Sequence, residues 1–458
     1  MSRSPAAVLP AAALAVLLPM GLTAGFTKSM RAEAPTRPNL LVVTFDTTRA
    51  DRIGSYGYPS NTPNIDRLAR EGVRMARAYT PSTQTLPSHT SLFTGLYSIT
   101  HGVVSNGQML SGDAETLAEV LKRHGYATGA IVGAATLISD FRLNQGFDTY
   151  DEEFGGTWVE RSFKSLIRFM SRAKLNIPST RPAQEVAHRG RAWIAKHANR
   201  SKPFFLWMHF WDPHEPYEFH PDFTHPAIVR SEGKENEYGQ KEANYVNEIE
   251  FTDHYLGTIL HQLDRLGVSQ NTLVVFTADH GESLGEHGYQ GHRQEVWDDI
   301  LHIPMILRFP ARLPQGKVID TPVMSIDVMP TVLKLLGISY SSRDYQGQDI
   351  FQLGHTPRKV FAIAVELFTK SPIRRAVIEG TRKFVQSDAN GQNALYDLKA
   401  DPEEQHNLLA APGPRPTDVA RMQGDIATWY ETFANLSVDD PRLTPEQLER
   451  LRSLGYIK

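Results

Sequence analysis

The chain has 458 residues, 41% hydrophobic and 22% charged, with a formal net charge of −3. That length suits one large domain with a smaller appendage, and the near-neutral balance gives no support to a nucleic-acid or polyanion binder. Absence of cysteine removes disulfides, thiolate catalysis, zinc–cysteine sites and a lipoprotein attachment site together.

At the N-terminus, Arg3 precedes an apolar stretch from about Ala6 to Phe26, followed by polar, Pro-containing sequence. Residues 1–34 read as a secretory signal, with small residues at Leu22-Thr-Ala24 and Ala32-Glu-Ala34 as cleavage points. The alternative is an uncleaved membrane anchor, because the run is nearly long enough to span; Pro10 and Pro19 weaken it. Either reading exports the protein to the periplasm or the extracellular space.

After a linker at Ala34–Pro38, residues 35–340 alternate strand and helix. Strands are expected at Leu40–Phe45, Ala127–Val132, Pro203–His209, from Thr272 and at Pro304–Phe309. Helices are expected from Thr62 (capped by Thr62 or Asn64) and at Glu115–His124, Ala183–His197, Glu248–Leu266 and Ile326–Leu336. This alternation argues for an α/β fold, a large, mostly parallel sheet sandwiched by helices. From about residue 341 to 458 the pattern changes to a smaller α+β subdomain. Its short antiparallel strands are at Val360–Val365, Arg374–Ile378 and Lys383–Gln386, and a final helix opens at the capping box Thr444-Pro-Glu-Gln447.

Two apolar runs end abruptly in a carboxylate: Asn39-Leu-Leu-Val-Val-Thr-Phe-Asp46 and Thr272-Leu-Val-Val-Phe-Thr-Ala-Asp279-His280. Buried parallel strands deliver ligands in this way at their C-terminal edges. Two such edges can meet over one cation, with Thr85 supplied from a loop between them.

Further segments fall in a telling order. They are Pro63-Asn-Ile-Asp66, Pro87-Ser88 with Thr94-Gly95, His101-Gly102, Asp212-Pro-His214-Glu-Pro-Tyr217, Asp279-His-Gly-Glu282, Leu284-Gly-Glu-His287-Gly288, Asp327-Val-Met-Pro-Thr331, and Leu395–Glu403 with Asn407-Leu408. From Asn39 almost to the C-terminus the chain resembles the sulfatase family, within the alkaline phosphatase superfamily. The resemblance implies a metal-dependent hydrolase of sulfate or phosphate esters.

Three departures agree with one another. The family's nucleophile is a formylglycine made from Cys or Ser in the pattern Cys/Ser-x-Pro-Ser-Arg, and here the segment reads Thr85-Leu-Pro-Ser-His89. Threonine cannot be oxidised to formylglycine, and the Arg that would hold it is His89. The Lys-Trp-His motif is replaced by Ala134-Ala-Thr136. Thr85 with Thr94–Gly102 resembles nucleotide pyrophosphatase/phosphodiesterases instead, which favours a phosphodiester or phosphonate ester. A threonine hydroxyl needs metal coordination to become a nucleophile.

The resemblance implies Asp46, Asp279, His280 and Thr85 as ligands of one divalent ion. This set suits manganese or zinc better than calcium, although calcium remains open, and Thr47 stands where calcium-binding sulfatases often carry a second Asp. His214 is expected to contact ester oxygens or protonate the leaving group. Arg293 is assigned charge stabilisation, and the acid role is left to His292 or His214. Ser88 and His287 are expected substrate contacts. Asp212 reads as a turn residue that could build a second metal site with His214 and His292. His89 and His101 read as structural, His209 as interior or supporting, and Asp327 as a helix cap. The expected partner is a small-molecule, glycan or lipid-headgroup ester, selected by a rim at Phe154–Arg200 and Glu218–Glu242. A phosphoryl or phosphoalcohol transferase at the membrane face, and an inactive binding protein, are the competing readings.

Overall fold

The computed structural model describes residues 37–154, 180–198, 202–223, 237–354, 358–367, 371–389, 392–410, 412 and 414–434, all within one compact unit. The expected signal or anchor at 1–34, the helix at Thr444 and parts of the expected rim lie outside the described residues. Among described residues, no helix is long and apolar enough to cross a membrane.

Eight strands form the central sheet: β1 (Asn39–Phe45), β2 (Val73–Met75), β3 (Ala127–Ile131), β4 (Thr149–Asp151), β5 (Phe204–Phe210), β6 (Thr272–Ala278), β7 (Met305–Arg308) and β8 (Lys317–Ile319). Their order is β8-β2-β7-β6-β1-β5-β3-β4. From β6 to β4 the neighbours run parallel, while β7 is antiparallel to both β6 and β2. The fold is α/β, with the mostly parallel sheet expected from the sequence.

Helices cover both faces, so the inner strands have no polar side. Leu40 and Val42 of β1 pack in one cluster with Leu273 and Val275 of β6, under α2 (Thr85–Thr94), α3 (Leu117–Arg123) and α6 (Val328–Leu335). Leu41, Val43 and Phe45 pack on the other face with Val274 and Phe276, under α1 (Pro63–Glu71), α4 (Ala183–His197) and α5 (Glu237–Arg265). Each such buried side chain contributes ~1.5–3 kcal/mol of burial energy. This packing fixes the register that matters: Phe45 pairs with Phe210 on one side and Ala278 on the other. Asp46 and Asp279 therefore leave the sheet side by side.

Local details depart from the sequence reading where a distant group substitutes for a local one. Neither Thr62 nor Asn64 caps α1. The Asp253 carboxylate on α5 accepts the Asn64 and Ile65 N–H groups at 3.1 and 2.7 Å, and Thr62 Oγ1 accepts from Gly54 N instead. Helix α5 also starts well before Glu248.

In the C-terminal part, β9 (Lys359–Ala364), β10 (Arg374–Glu379), β11 (Arg382–Ser387) and β12 (Ala394–Asp397) form an antiparallel sheet, packed against α7 (Val419–Phe433). The last strand and α7 were not expected. This layer shares a core with the main domain through Tyr97, Met324, Ile378 and Trp429. Lys383 on β11 is fully buried with its ammonium 2.8 Å from Glu404, which also accepts the Asp298 N–H at 2.6 Å. Lys383→Met removes one partner of a buried pair, so urea unfolding should show a loss of about 3–5 kcal/mol. The double variant Lys383→Met/Glu404→Gln should recover most of it; an unchanged single-variant midpoint would remove the pair from the account.

Candidate active site

Thr85 is not on a loop: it is the first residue of α2, whose ten residues are all buried. A polar helix can be buried because its side chains bond its own carbonyls. Thr90 and Thr94 hydroxyls donate to Leu86 O and Thr90 O, each at 2.7 Å, and His89 Nδ1 lies 2.8 Å from Thr85 O. Pro87 is tolerated in the first turn, and Gly95, at φ 67°, ends the helix in the left-handed conformation.

Asp46 and Asp279 define the centre. Both are buried, and neither oxygen of Asp46 nor Oδ2 of Asp279 has a hydrogen-bond partner. Asp279 Oδ1 accepts the backbone N–H groups of Thr47 and His280 at 3.1 and 2.9 Å. Burial, then the neighbouring Asp279 charge, push the Asp46 carboxyl well above its usual range. Burial acts the same way on Asp279, but His280, His89 and His209 hold it low.

Thr47 follows Asp46 at φ 49°, a strained conformation for a β-branched residue, costing about 1–3 kcal/mol. Three hydrogen bonds hold it: its N–H to Asp279, its hydroxyl to Pro213 O at 2.7 Å, and its carbonyl from Tyr245 O–H at 2.7 Å. Its hydroxyl is spent on a carbonyl, so Thr47 does not replace the missing Asp as a ligand.

Hydrogen bonding sorts the histidines. His280 Nδ1 lies 2.9 Å from Gly281 O, His292 Nδ1 2.7 Å from Thr83 O and His214 Nδ1 2.6 Å from Glu215 O. Each therefore keeps its proton on Nδ1 and presents a bare Nε2, the arrangement typical of metal ligands. His209 is the reverse: its Nδ1 accepts the Gly133 N–H, so its Nε2–H faces Asp46 Oδ2 at 3.2 Å. For His89, Trp207 Nε1–H donates to Thr44 Oγ1 and Thr44 donates to His89 Nε2, each at 3.0 Å. That leaves His89 Nδ1–H for Thr85 O. His89 thus has both ring nitrogens occupied and His209 turns Nε2–H toward Asp46, and burial lowers their pKa values to about 3 and 4.

Three donors remain with unpaired atoms in one place: Asp46, Asp279 and His280, within 4.8 Å of one another. Buried, partnerless oxygens beside a bare imidazole nitrogen fit a divalent cation. Thr85 is bracketed against this group. His89, which binds its carbonyl, lies 3.8 Å from Asp279 Oδ2, and Thr83, two residues earlier, binds His292, whose ring stacks on His280 at 4.1 Å.

The remaining expected residues separate. His214 and His292 lie together, with ring centroids 5.5 Å apart. Burial lowers His214 to about 3 and His292 well below its ordinary value, so both offer a lone pair rather than a proton. The Arg293 charge acts on His214, His292 and Glu282. Ser88 instead donates to Ser82 O at 2.9 Å, and His287 stacks on Trp297 at 4.3 Å, so neither joins the cluster. Asp212 does not join His214 and His292: its Oδ1 accepts the Ala183 N–H that opens α4, and Glu282 takes that place. Asp327 does more than cap, pairing with Arg358 through both carboxylate oxygens. The sequence reading gave Glu282 no role although it stands three residues after Asp279.

The fold and the paired carboxylate–histidine site define an α/β ester hydrolase of the alkaline phosphatase superfamily. Within that class, the sulfatase profile matches residues 38–338, so the chain belongs to the sulfatase family. It is a hydrolase acting on sulfate or phosphate esters. Residues 285–425 also match the C-terminal region of N-sulphoglucosamine sulphohydrolase. The ulvan-active sulfatase of Formosa agariphila is 25% identical over 413 residues, 83% of this chain and 78% of its own. A protein solved with its substrate D-glucosamine-2-N,6-O-disulfate superposes with a TM-score of 0.71 at 19% identity, covering 88% of this chain and 100% of that one. The phosphonate monoester hydrolase of Agrobacterium radiobacter gives 0.67 at 21%, covering 86% and 95%.

The raised Asp46 pKa carries a sign. Ionised Asp46 is disfavoured by folding, so the cost is absent below the ordinary Asp value of about 3.9 and grows as pH rises above it. In chelator-stripped protein, Asp46→Asn should therefore raise stability at pH 7 and leave it unchanged near pH 3. The same substitution should lower bound metal. Urea melts at the two pH values check this; destabilisation at pH 7 would contradict the like-charge account.

Proposed function

We propose that this sulfatase-family hydrolase cleaves a phosphodiester or phosphonate ester by attack of Thr85, with the ligand set Asp46, Asp279, His280 and Thr85 for one divalent cation, manganese or zinc. The observation that carries the reading is a threonine at the head of α2, bracketed by His89 and His292 against partnerless carboxylates. When bound, the cation lowers the pKa of a coordinated hydroxyl and polarises an ester oxygen. The Thr85 oxygen bonds to phosphorus as the alcohol departs, and water then cleaves the phosphothreonine. A sulfothreonine offers no comparable route, because formylglycine sulfatases release sulfate by elimination from a hemiacetal. His89 fixes the Thr85 backbone, and the positive end of α2 favours charge on the Thr85 oxygen. Arg293 adds positive charge for the ester. The substrate class is a small-molecule, glycan or lipid-headgroup ester, and residues 1–34 direct export.

Thr85→Ala should remove nearly all turnover while the fold and much of the bound metal survive; Thr85→Ser should retain measurable activity. Assayed side by side, bis-aryl phosphate and phosphonate monoester should rank above aryl sulfate for the unaltered enzyme. Robust aryl-sulfate turnover with negligible phosphoester activity would refute the threonine mechanism.

A further inference from the structure

Gln84, the residue before Thr85, stands at the cap position of α2 with an extended backbone (φ −136°, ψ 150°), yet its side chain caps nothing. A side chain at that position ordinarily accepts the N–H of the second or third helical residue. Here Asn106 does so instead, its Oδ1 accepting the Leu86 N–H at 2.9 Å. The Gln84 amide is left to tie distant segments together in the interior, where the residue is 1% exposed. Its Oε1 accepts from Asn106 N–H at 2.8 Å and from the Ser105 hydroxyl at 3.2 Å, and its Nε2 donates to Val365 O. Two donors at one end and a carbonyl at the other leave a single orientation for the amide.

Thr85 is thereby held from both sides. The residue before it receives the Asn106 N–H, and the residue after it gives its own N–H to the Asn106 side chain, closing a ring of hydrogen bonds around position 85. The Val365 end connects this ring to the C-terminal antiparallel sheet. Val365 directly follows β9, and β9 meets the same loop again where the Ile363 N–H donates to Pro81 O at 3.0 Å, beside a Ser82–Ile363 bridge.

We propose that Gln84 is a positioning residue for Thr85, fixing the nucleophile by tying the head of α2 to Asn106 and to the C-terminal sheet. This role rests on attack by Thr85 as proposed above, and Gln84 acts through Thr85 alone. Misplacing a reacting group by about 1 Å can cost on the order of 10²-fold in rate. The C-terminal layer is then part of the catalytic framework as well as a packing partner.

Gln84→Met keeps the length of the side chain and removes every hydrogen bond of the amide. In full-length, zinc-loaded protein, kcat for bis-aryl phosphate should fall by on the order of 10²-fold, with KM and bound zinc unchanged. A side chain needed only for stability would lower the urea midpoint and leave kcat per folded, zinc-loaded chain as it was. Near-UV circular dichroism verifies folding. Ser105→Ala, which removes one donor and leaves the Asn106 bond, should give a smaller fall in kcat at the same KM, and it decides the matter if Gln84→Met does not fold. Thr85→Ala is measured alongside. Turnover retained in Thr85→Ala removes the nucleophile and this role together. An inactive Thr85→Ala beside a folded Gln84→Met with unaltered kcat, or with a kcat that falls only in proportion to bound zinc, overturns the positioning role alone.

Discussion

Two carboxylates forced together in a dry place are the constraint on which this molecule is built. Asp46 and Asp279 emerge from neighbouring parallel strands at the same level because Phe45 pairs with Ala278. Neither Asp46 oxygen nor Asp279 Oδ2 makes a hydrogen bond of good geometry, although His209 Nε2 lies 3.2 Å from Asp46 Oδ2. Such an arrangement opposes folding unless the surroundings are strongly over-determined. The apolar strands on either side, buried on both faces of the sheet, supply that determination. So does Thr47, whose strained backbone is pinned by three hydrogen bonds so that its N–H reaches Asp279. Stability from the core is spent on holding this like-charge pocket open.

The second level of control is the choice of proton position on each histidine. Carbonyls at Thr83, Glu215 and Gly281 leave three rings with a bare Nε2 by occupying their Nδ1–H. An N–H at Gly133 and a hydroxyl at Thr44 occupy a ring nitrogen of the two others, His209 and His89. Residue type is identical in all five; backbone geometry assigns the role. The same logic explains why His89 can occupy the position of the family's Arg. It does not reproduce a cation, since burial keeps it neutral, but it grips the Thr85 carbonyl.

Much of this was legible in the sequence. The unbroken apolar runs identified β1 and β6, and the abrupt carboxylates are the pair that the sheet register sets side by side. Helix α4 has the expected bounds. What was missed has two causes. Helix α2 has no apolar stripe because it is buried all round and its hydroxyls bond its own turns, so periodicity could not find it. Asp253 caps α1 from another helix, which no local capping pattern contains.

The sequence by itself determined the strand–helix alternation, the strand-end positions of Asp46 and Asp279 and the absence of a formylglycine precursor, because each depends on local composition or on the identity of one residue. Tertiary structure decided which polar atoms are left without partners. It exchanged Asp212 for Glu282 beside His214 and His292, turned Ser88 toward Ser82, spent the Thr47 hydroxyl on Pro213, and set which ring nitrogen of each histidine is occupied. The decisive pairings among these, Thr47 with Pro213, His292 with Thr83, His209 with Gly133 and Asp212 with Ala183, join residues tens to hundreds of positions apart and exist only once the sheet has set its register.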